Sequence, residues 1–136
     1  MLSLSNPFAL RIYFEDTDAG GVVFYANYLK FFERARTEWL RGVGVEQAVL
    51  QADTGAIFVV AEVNVRYLAS AKLDDLITVT VSVVGQGAAS LDIAQQAWRG
   101  EVLLADAKVR IGCVDAATLR PRRIPKQVLD AIAAHA

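Results

Sequence analysis

Carboxylates, glycines and aromatic residues are concentrated near the amino terminus, in the segment Tyr13–Leu29. Asp16 and Asp18 precede the pair Gly20-Gly21. A carboxylate can activate water or attack a carbonyl carbon itself, and glycine lets the backbone approach a ligand closely. A helix is predicted to follow, and the free amides at a helix start favour negative charge on an oxygen. The segment therefore resembles an acyl-transfer site, with an oxyanion hole and a carboxylate.

The same residues also fit a structural interpretation. Asp16 and Asp18 are of the type that caps turns and helix starts, and Gly20-Gly21 is common in turns. Clustered carboxylates mark functional sites only statistically. On spacing alone, the structural interpretation is favoured.

Composition excludes several function classes. The length of 136 residues predicts a single domain over residues 1–136. The net charge of −1 argues against general electrostatic binding of nucleic acid. One histidine, His135, and one cysteine, Cys113, lie far apart in the sequence. This argues against a metal site and against Ser-His-Asp or Cys-His catalysis.

Apolar runs are far shorter than the roughly 20 residues that span a bilayer. The amino terminus lacks the pattern of a secretory signal, and the single cysteine cannot form an internal disulfide. These features predict no membrane span and a cytoplasmic location.

Hydrophobic periodicity predicts the elements that position the segment. Tyr28, Phe31, Phe32, Ala35 and Trp39 recur at helical spacing, and charged residues between Lys30 and Glu38 occupy much of the other face. Period-two alternation predicts strands, and glycines mark the turns near 85–87 and 99–101. The predicted elements are strands over Leu10–Glu15, Glu62–Tyr67, Ile77–Val83 and Ala105–Cys113, and helices over Tyr25–Arg41, Val45–Gln51 and Pro125–Ala134.

This order predicts an α+β fold, in which a long helix packs against a curled antiparallel sheet of about five strands. The three alternating segments after the long helix, with a fourth strand between the two glycine turns, are predicted to follow one another as a meander. One helix covers only part of such a sheet, so a homodimer or larger assembly is expected.

Four segments carry a resemblance to a known family. They read EDTDAGGVVFYANYL over Glu15–Leu29, FERARTE over Phe32–Glu38, VRYLASAKLDD over Val65–Asp75 and RPRRIP over Arg120–Pro125. The chain resembles, over nearly its whole length, the hotdog-fold acyl-CoA thioesterases of the 4-hydroxybenzoyl-CoA thioesterase family. Within that family it is most similar to the Tol-Pal-associated bacterial type.

The resemblance implies edge-to-edge homodimers, often paired into homotetramers, with active sites at the dimer interface. It implies that Asp18 is the catalytic nucleophile or general base, and that the backbone amide of Tyr25 polarises the thioester carbonyl. Gly21 and Val22 would lie beside the acyl group, and Ser90 near the thioester or pantetheine arm.

Arg110 matches a position at which some relatives contact the nucleotide phosphates. Relatives with basic residues just before the Ser90 position differ from this chain, which has Gly87, Ala88 and Ala89 there. Phosphate contacts are therefore expected from Arg66, Lys72, Arg110 or the Arg120–Arg123 loop, or are expected to be weak, and all four rank below Asp18 as site residues. Tyr25 stands where the Tol-Pal type commonly carries histidine, whereas the hydroxybenzoyl-CoA type has tyrosine.

The expected function is hydrolysis of an acyl-CoA to a free acid and CoA, with no cofactor beyond the CoA of the substrate and no metal. An acyl carrier protein is a further expected partner. The alternative is a module that binds acyl-CoA or acyl carrier protein with little hydrolytic activity. A hotdog dehydratase is disfavoured, because those enzymes use a histidine with a carboxylate.

Overall fold

The computed structural model describes residues 2–3 and 7–135. Helices form at α1 (Asn27–Gly42), α2 (Gln47–Thr54) and α3 (Lys126–Ala134), and strands at β1 (Leu2–Ser3), β2 (Phe8–Arg11), β3 (Ala56–Tyr67), β4 (Leu76–Val79), β5 (Ser82–Gln86), β6 (Ser90–Arg99) and β7 (Val102–Asp115). All three predicted helices are present, with ends shifted by at most three residues. None of these helices is long and apolar enough to cross a membrane.

The strands form one antiparallel sheet in the order β2–β4–β6–β7–β3. Strand β5 pairs with β6 beyond the end of β4, and β1 pairs with β5. The predicted meander is therefore correct for β4 to β7 but wrong for β3. The physical reason is length: β3 and β7 have 12 and 14 residues, so their pairing satisfies more backbone groups than β3 could find on the short β4.

Two predicted strands end earlier than expected. The alternation of Ile77–Val83 continues, but the strand is interrupted between β4 and β5, where the Thr80 hydroxyl accepts a hydrogen bond from the Gln96 amide at 3.0 Å. The predicted strand Leu10–Glu15 stops at Arg11. A single 3-10 turn follows over Phe14–Asp16, because the Asp16 carboxylate accepts the Tyr13 amide at 2.8 Å and caps the turn.

The core lies between α1 and the inner face of the sheet. The predicted stripe of α1 is at most 3% exposed at each position, and it packs with the alternating buried residues of the central strands. Burying each large side chain contributes about 1.5–3 kcal/mol. A long helix wrapped by a curled antiparallel sheet is the hotdog arrangement that the resemblance predicts.

Strand β3 has one open edge. It pairs with β7 on one side, and no strand of the described part of the chain pairs with the other. Val60 and Val63 are 51% and 41% exposed. The face of Glu62–Tyr67 that the alternation predicts to be covered is therefore accessible in the single chain.

Candidate active site

Asp18 lies in a tight turn at the surface. Its amide donates to the Val22 carbonyl at 2.8 Å, and its carbonyl accepts the Gly21 amide at 3.0 Å. One carboxylate oxygen, Oδ1, accepts the Gly20 amide at 2.8 Å. Gly21 has φ of +79°, a left-handed conformation that favours glycine. The turn thus uses one carboxylate oxygen and leaves Oδ2 without a partner among the described residues.

The start of α1 follows this turn directly. The Asp16 carbonyl accepts two hydrogen bonds, from the Phe24 amide and from the Asn27 side-chain amide, both at 2.9 Å. These bonds fold the chain back, so that the Asp16 carbonyl oxygen fixes the acidic turn to the start of α1. The Tyr25 and Ala26 amides donate to no acceptor within residues 2–3 and 7–135. They are therefore available to an oxygen of a ligand.

A second loop, Ala69–Asp75, supports this segment from the side. The Val23 amide donates to the Ala71 carbonyl at 2.9 Å, and Val22 forms an isolated bridge with Lys72. The Ala71 amide donates to the Tyr28 hydroxyl at 3.3 Å. The stretch between Asp18 and Tyr25 is thereby tied to this loop by backbone hydrogen bonds.

The supporting loop is itself fixed by Asp75. Its Oδ2 accepts the Lys72 amide at 2.9 Å and the Arg99 guanidinium at 3.1 Å. The hydrogen bond from the Lys72 amide and the ion pair with Arg99 lower the pKa of Asp75 despite its desolvation. The Arg99 guanidinium also donates to the Ser70 carbonyl at 2.8 Å.

Ser90, Arg66 and Arg110 lie elsewhere in the single chain. Ser90 begins β6, and no hydrogen bond or ion pair described for this chain joins any of the three to the segment 18–25. Arg110 donates to the Asp92 carboxylate at 2.8 Å and lies 4.0 Å from the Glu62 carboxylate. These carboxylates raise the pKa of Arg110.

The cationic side chains of β3 and β7 point away from α1. Arg66, Lys108 and Arg110 line a cavity of about 610 Å³ on the outer face of the sheet, together with Asp92 and Asp106. Arg110 is already paired with Asp92 and Glu62 there, so a phosphate at Arg110 would compete with these ion pairs.

The Arg120–Arg123 loop has a structural role in part. The Arg122 guanidinium donates to the Thr54 carbonyl at 2.6 Å and lies 3.8 Å from the Asp115 carboxylate. This arginine therefore joins the end of α2 to the end of β7.

An apolar groove runs between α1 and β3. It has a volume of about 470 Å³ and starts one helical turn after Tyr25. Its lining is mostly apolar and includes Leu29, Lys30, Phe32, Glu33, Arg36, Val60, Val63 and Val109. A groove of this size is within the range of small-molecule pockets.

Arg36 contradicts the sequence prediction that the charged residues of α1 face away from the core. Its side chain is buried at 9% exposure, and it donates to the Gln95 side-chain oxygen at 3.0 Å. Burial lowers the pKa of Arg36. Its position four residues after Phe32 and three before Trp39 is the sequence signal that could have identified it.

Tyr67 was also not identified from sequence, although it touches the helix start. Its hydroxyl donates to the Tyr25 carbonyl at 2.8 Å. Its place in the alternating pattern of β3 marked it only as apolar.

No group of three or more His, Cys, Asp or Glu side chains suited to a metal ion occurs in the described residues.

Comparison with known proteins identifies the family of this chain. The sequence profile of the thioesterase-like superfamily matches residues 12–132. The chain is 42% identical over 128 residues to the acyl-CoA thioesterase YbgC of Haemophilus influenzae, covering 94% of each protein. It is also 42% identical over 121 residues to the acyl-CoA thioester hydrolase YbgC of Escherichia coli O6:H1, covering 88% of this chain and 90% of the relative.

Solved structures share the fold. A probable thioesterase from Bartonella henselae superimposes with a TM-score of 0.83 at 34% identity, covering 88% of this chain and 98% of that structure. A DHNA-CoA thioesterase from Staphylococcus aureus, at 20% identity, superimposes with a TM-score of 0.90 over 98% of this chain and 91% of that structure, and it supports the fold alone. Because the family profile and two relatives extend over most of its length, this chain belongs to the thioesterase-like superfamily.

Proposed function

We propose that this protein is an acyl-CoA thioesterase in which Asp18 is the nucleophile or general base and the Tyr25 amide polarises the thioester carbonyl. The observation that carries the proposal is the short loop that joins an exposed carboxylate to unpaired amides at the start of α1. The names of the YbgC relatives support acyl-CoA as the substrate class.

In the general-base route, Asp18 takes a proton from water while the water oxygen bonds to the thioester carbon. The carbonyl oxygen becomes an oxyanion, which the amides at the helix start stabilise. The intermediate then expels the CoA thiolate and leaves the free acid. In the nucleophilic route, the carboxylate bonds to the same carbon, the thiolate leaves, and water hydrolyses the anhydride.

Tyr25 supplies no imidazole to protonate the leaving group. A thiolate has a much lower proton affinity than an alkoxide, since thiol pKa values lie near 8.5. Departure of CoA as the thiolate, followed by protonation from solvent, therefore suffices. No cofactor or metal is needed for either route.

The remaining binding roles follow the family resemblance. Gly21 and Val22 adjoin Asp18 and would contact the acyl group. Ser90, Arg66 and Arg110 would bind the pantetheine arm and phosphates of CoA. Among the described residues of the single chain, these three make no hydrogen bond or ion pair with the Asp18 turn, which favours a site completed by a second copy.

The proposed assembly is a homodimer through the open edge of β3, with two dimers forming a homotetramer. The exposed Val60 and Val63 beside an unpaired strand edge support it, because such an edge is normally covered. Membership of the 4-hydroxybenzoyl-CoA thioesterase family, a Tol-Pal-associated role, an acyl carrier protein as a partner and a cytoplasmic location belong to the same proposal.

The catalytic assignment is tested with Asp18→Asn. Asparagine retains an Oδ1 acceptor for the Gly20 amide, so the turn should persist while the carboxylate is lost. Thiol release from short, long and aromatic acyl-CoAs should fall by about 10²–10⁴-fold. Glu15→Gln, which removes a neighbouring exposed carboxylate, is the matched control and should retain the parent rate. An Asp18→Asn variant with the parent rate on every acyl-CoA would exclude Asp18 as the catalytic group.

The second candidate function is acyl-CoA binding with little hydrolysis. The tyrosine at position 25 favours it, because the chain lacks the histidine of the Tol-Pal type. Calorimetry with the same acyl-CoAs separates the two functions. Tight binding without thiol release from any of them would support the binding module and refute the thioesterase.

The assembly is tested with Val60→Lys, which puts a charge beside the open edge of β3. Sedimentation should show a shift towards the monomer. Val102→Lys, at an exposed position in the β6–β7 hairpin, is the control and should leave the assembly intact. An unchanged assembly in Val60→Lys would show that β3 is not the interface.

A further inference from the structure

One side chain outside the Asp18 segment reaches the start of α1. The Tyr67 hydroxyl donates to the Tyr25 carbonyl oxygen at 2.8 Å. The same oxygen accepts the Tyr28 amide at 3.4 Å. The side-chain bond is therefore the shorter of the two and lies within the usual range for a strong O–H···O bond.

The Tyr67 ring is held by its neighbours. It meets the Tyr25 ring edge to face, with centroids 6.1 Å apart and an interplanar angle of 89°. It meets the Tyr28 ring with centroids 5.5 Å apart at 70°. Such pairs are attractive in this geometry, so they fix the direction in which the hydroxyl points.

The hydroxyl is suited to donate throughout the neutral range. Desolvation and the adjacent Tyr25 raise the pKa of Tyr67. A tyrosine that stays neutral keeps its O–H proton and cannot present a charge to the helix start.

Tyr67 connects the sheet edge to the helix start. It is the last residue of β3 and pairs with Ala105 of β7. We infer that Tyr67 is a positioning residue for the reaction, whose hydroxyl holds the Tyr25–Ala26 peptide, just before α1, in the orientation that directs the Ala26 amide at the thioester oxygen beside the Tyr25 amide. This inference rests on the proposed function.

The physical effect has two parts. A donor on the Tyr25 carbonyl fixes the plane of the Tyr25–Ala26 peptide, and so the direction of the Ala26 N–H. It also polarises that peptide, which strengthens its N–H as a donor. Oxyanion stabilisation depends on donors lying 2.7–3.1 Å from the developing charge, as a general requirement, so a small rotation of the peptide weakens it.

Tyr67→Phe tests the inference because it removes only the hydroxyl and keeps the ring contacts. Losing one neutral hydrogen bond in the transition state corresponds to about a fivefold fall in kcat. KM should change by less than about twofold, and the melting temperature should fall by no more than the few degrees that one neutral hydrogen bond is worth. Tyr13→Phe, at an exposed tyrosine outside this cluster, is the control and should leave all three unchanged.

A spectroscopic measurement separates positioning from a structural role. Benzoyl-CoA labelled with ¹³C at the thioester carbonyl is bound to Asp18→Asn, which slows turnover. Hydrogen bonds from the helix start should lower the infrared stretching frequency of the bound carbonyl. Adding Tyr67→Phe should reverse part of that shift, whereas adding Tyr13→Phe should not.

The outcomes are distinct. An unchanged kcat together with an unchanged carbonyl frequency in Tyr67→Phe would overturn the inference, as would a loss of activity that only follows a lower melting temperature. If the parent protein released no thiol from any acyl-CoA, the proposed hydrolysis would fail instead. The carbonyl frequency of bound benzoyl-CoA would then still decide the role of Tyr67.

Discussion

Replacing Gln95 by leucine should destabilise the protein more than any surface substitution, because Gln95 is the partner of a buried cation. Gln95 is fully buried on the inner face of β6. Its side-chain oxygen accepts the Arg36 guanidinium at 3.0 Å. Its side-chain amide donates to the Phe32 carbonyl at 3.0 Å and to the Thr80 carbonyl at 3.4 Å.

The expected magnitude follows from these contacts. A hydrogen bond to a charged group contributes about 1.5–3 kcal/mol, and each neutral one contributes about 0.5–1.5 kcal/mol. Leucine recovers part of this by burying apolar surface. We expect Gln95→Leu to lower the free energy of unfolding by about 3 kcal/mol, since Arg36 is left buried without its partner.

Urea denaturation at a fixed protein concentration measures this change. Gln96→Leu is the matched control. Gln96 lies on the opposite face of β6, where its side chain donates to the half-buried Asp106 carboxylate and accepts from the Trp98 indole. Water can replace these partly exposed contacts, so Gln96→Leu should cost clearly less than Gln95→Leu.

A double-mutant cycle gives the decisive comparison. Arg36→Met combined with Gln95→Leu removes the charge and its partner together, and should be more stable than the sum of the two single losses predicts. If Gln95→Leu lies within about 0.5 kcal/mol of the parent, or if the two losses simply add, the argument that Arg36 depends on Gln95 is wrong.

Two further predictions concern the supporting loop and a helix end. The pKa of Asp75 is lower in the folded chain than in the unfolded chain, where it is about 3.9. The ionised carboxylate therefore stabilises the folded protein above that pH, and this stabilisation disappears as the pH falls through the folded-state pKa. Asp75→Asn should therefore cost about 1 kcal/mol at pH 7, after allowance for the partly exposed Arg99. Urea titrations at several pH values should show this cost vanishing in acid, whereas Asp74→Asn should change little at any pH; a pH-independent cost would contradict the role given to the Asp75 carboxylate. Gly55 follows the last residue of α2 and has φ of +77°, a backbone conformation that favours glycine. Gly55→Ala should therefore lower the melting temperature by an amount equivalent to about 1 kcal/mol. Gly42→Ala is the control, because Gly42 is the last residue of α1 and alanine suits a helix, so the melting temperature should not fall.

Sequence patterns were sufficient for the elements with a strong period. The stripe of α1 and the alternation of Ile77–Val83 and Ala105–Cys113 are set by local spacing, and burial follows the same spacing. Cys113, at the end of the predicted strand Ala105–Cys113, is 1% exposed.

The pairing of β3 could not be predicted from local spacing. Alternation shows which side chains share a face, but it does not show which strand lies alongside. Strand β4 follows β3 along the chain, but the two strands are not adjacent in the sheet. The pairing depends on the length of β7, which lies 35 residues further along the chain.

The candidate site was also predicted from sequence only in part. Its acidic turn and helix start were located from sequence, because Asp18, Gly21 and Tyr25 are close together in the chain and turn chemistry is local. Their catalytic and binding roles remain predictions.

What the sequence determined by itself was the long amphipathic helix, the α+β class and the segment that carries the chemistry. Only the tertiary structure showed that Tyr67 donates to the Tyr25 carbonyl, that Asp75 and Arg99 fix the supporting loop, and that Arg36 is buried against Gln95. The physical reason is that these contacts join residues 24 to 59 positions apart. Hydrophobic periodicity specifies the face of an element, whereas such contacts depend on how separate elements pack.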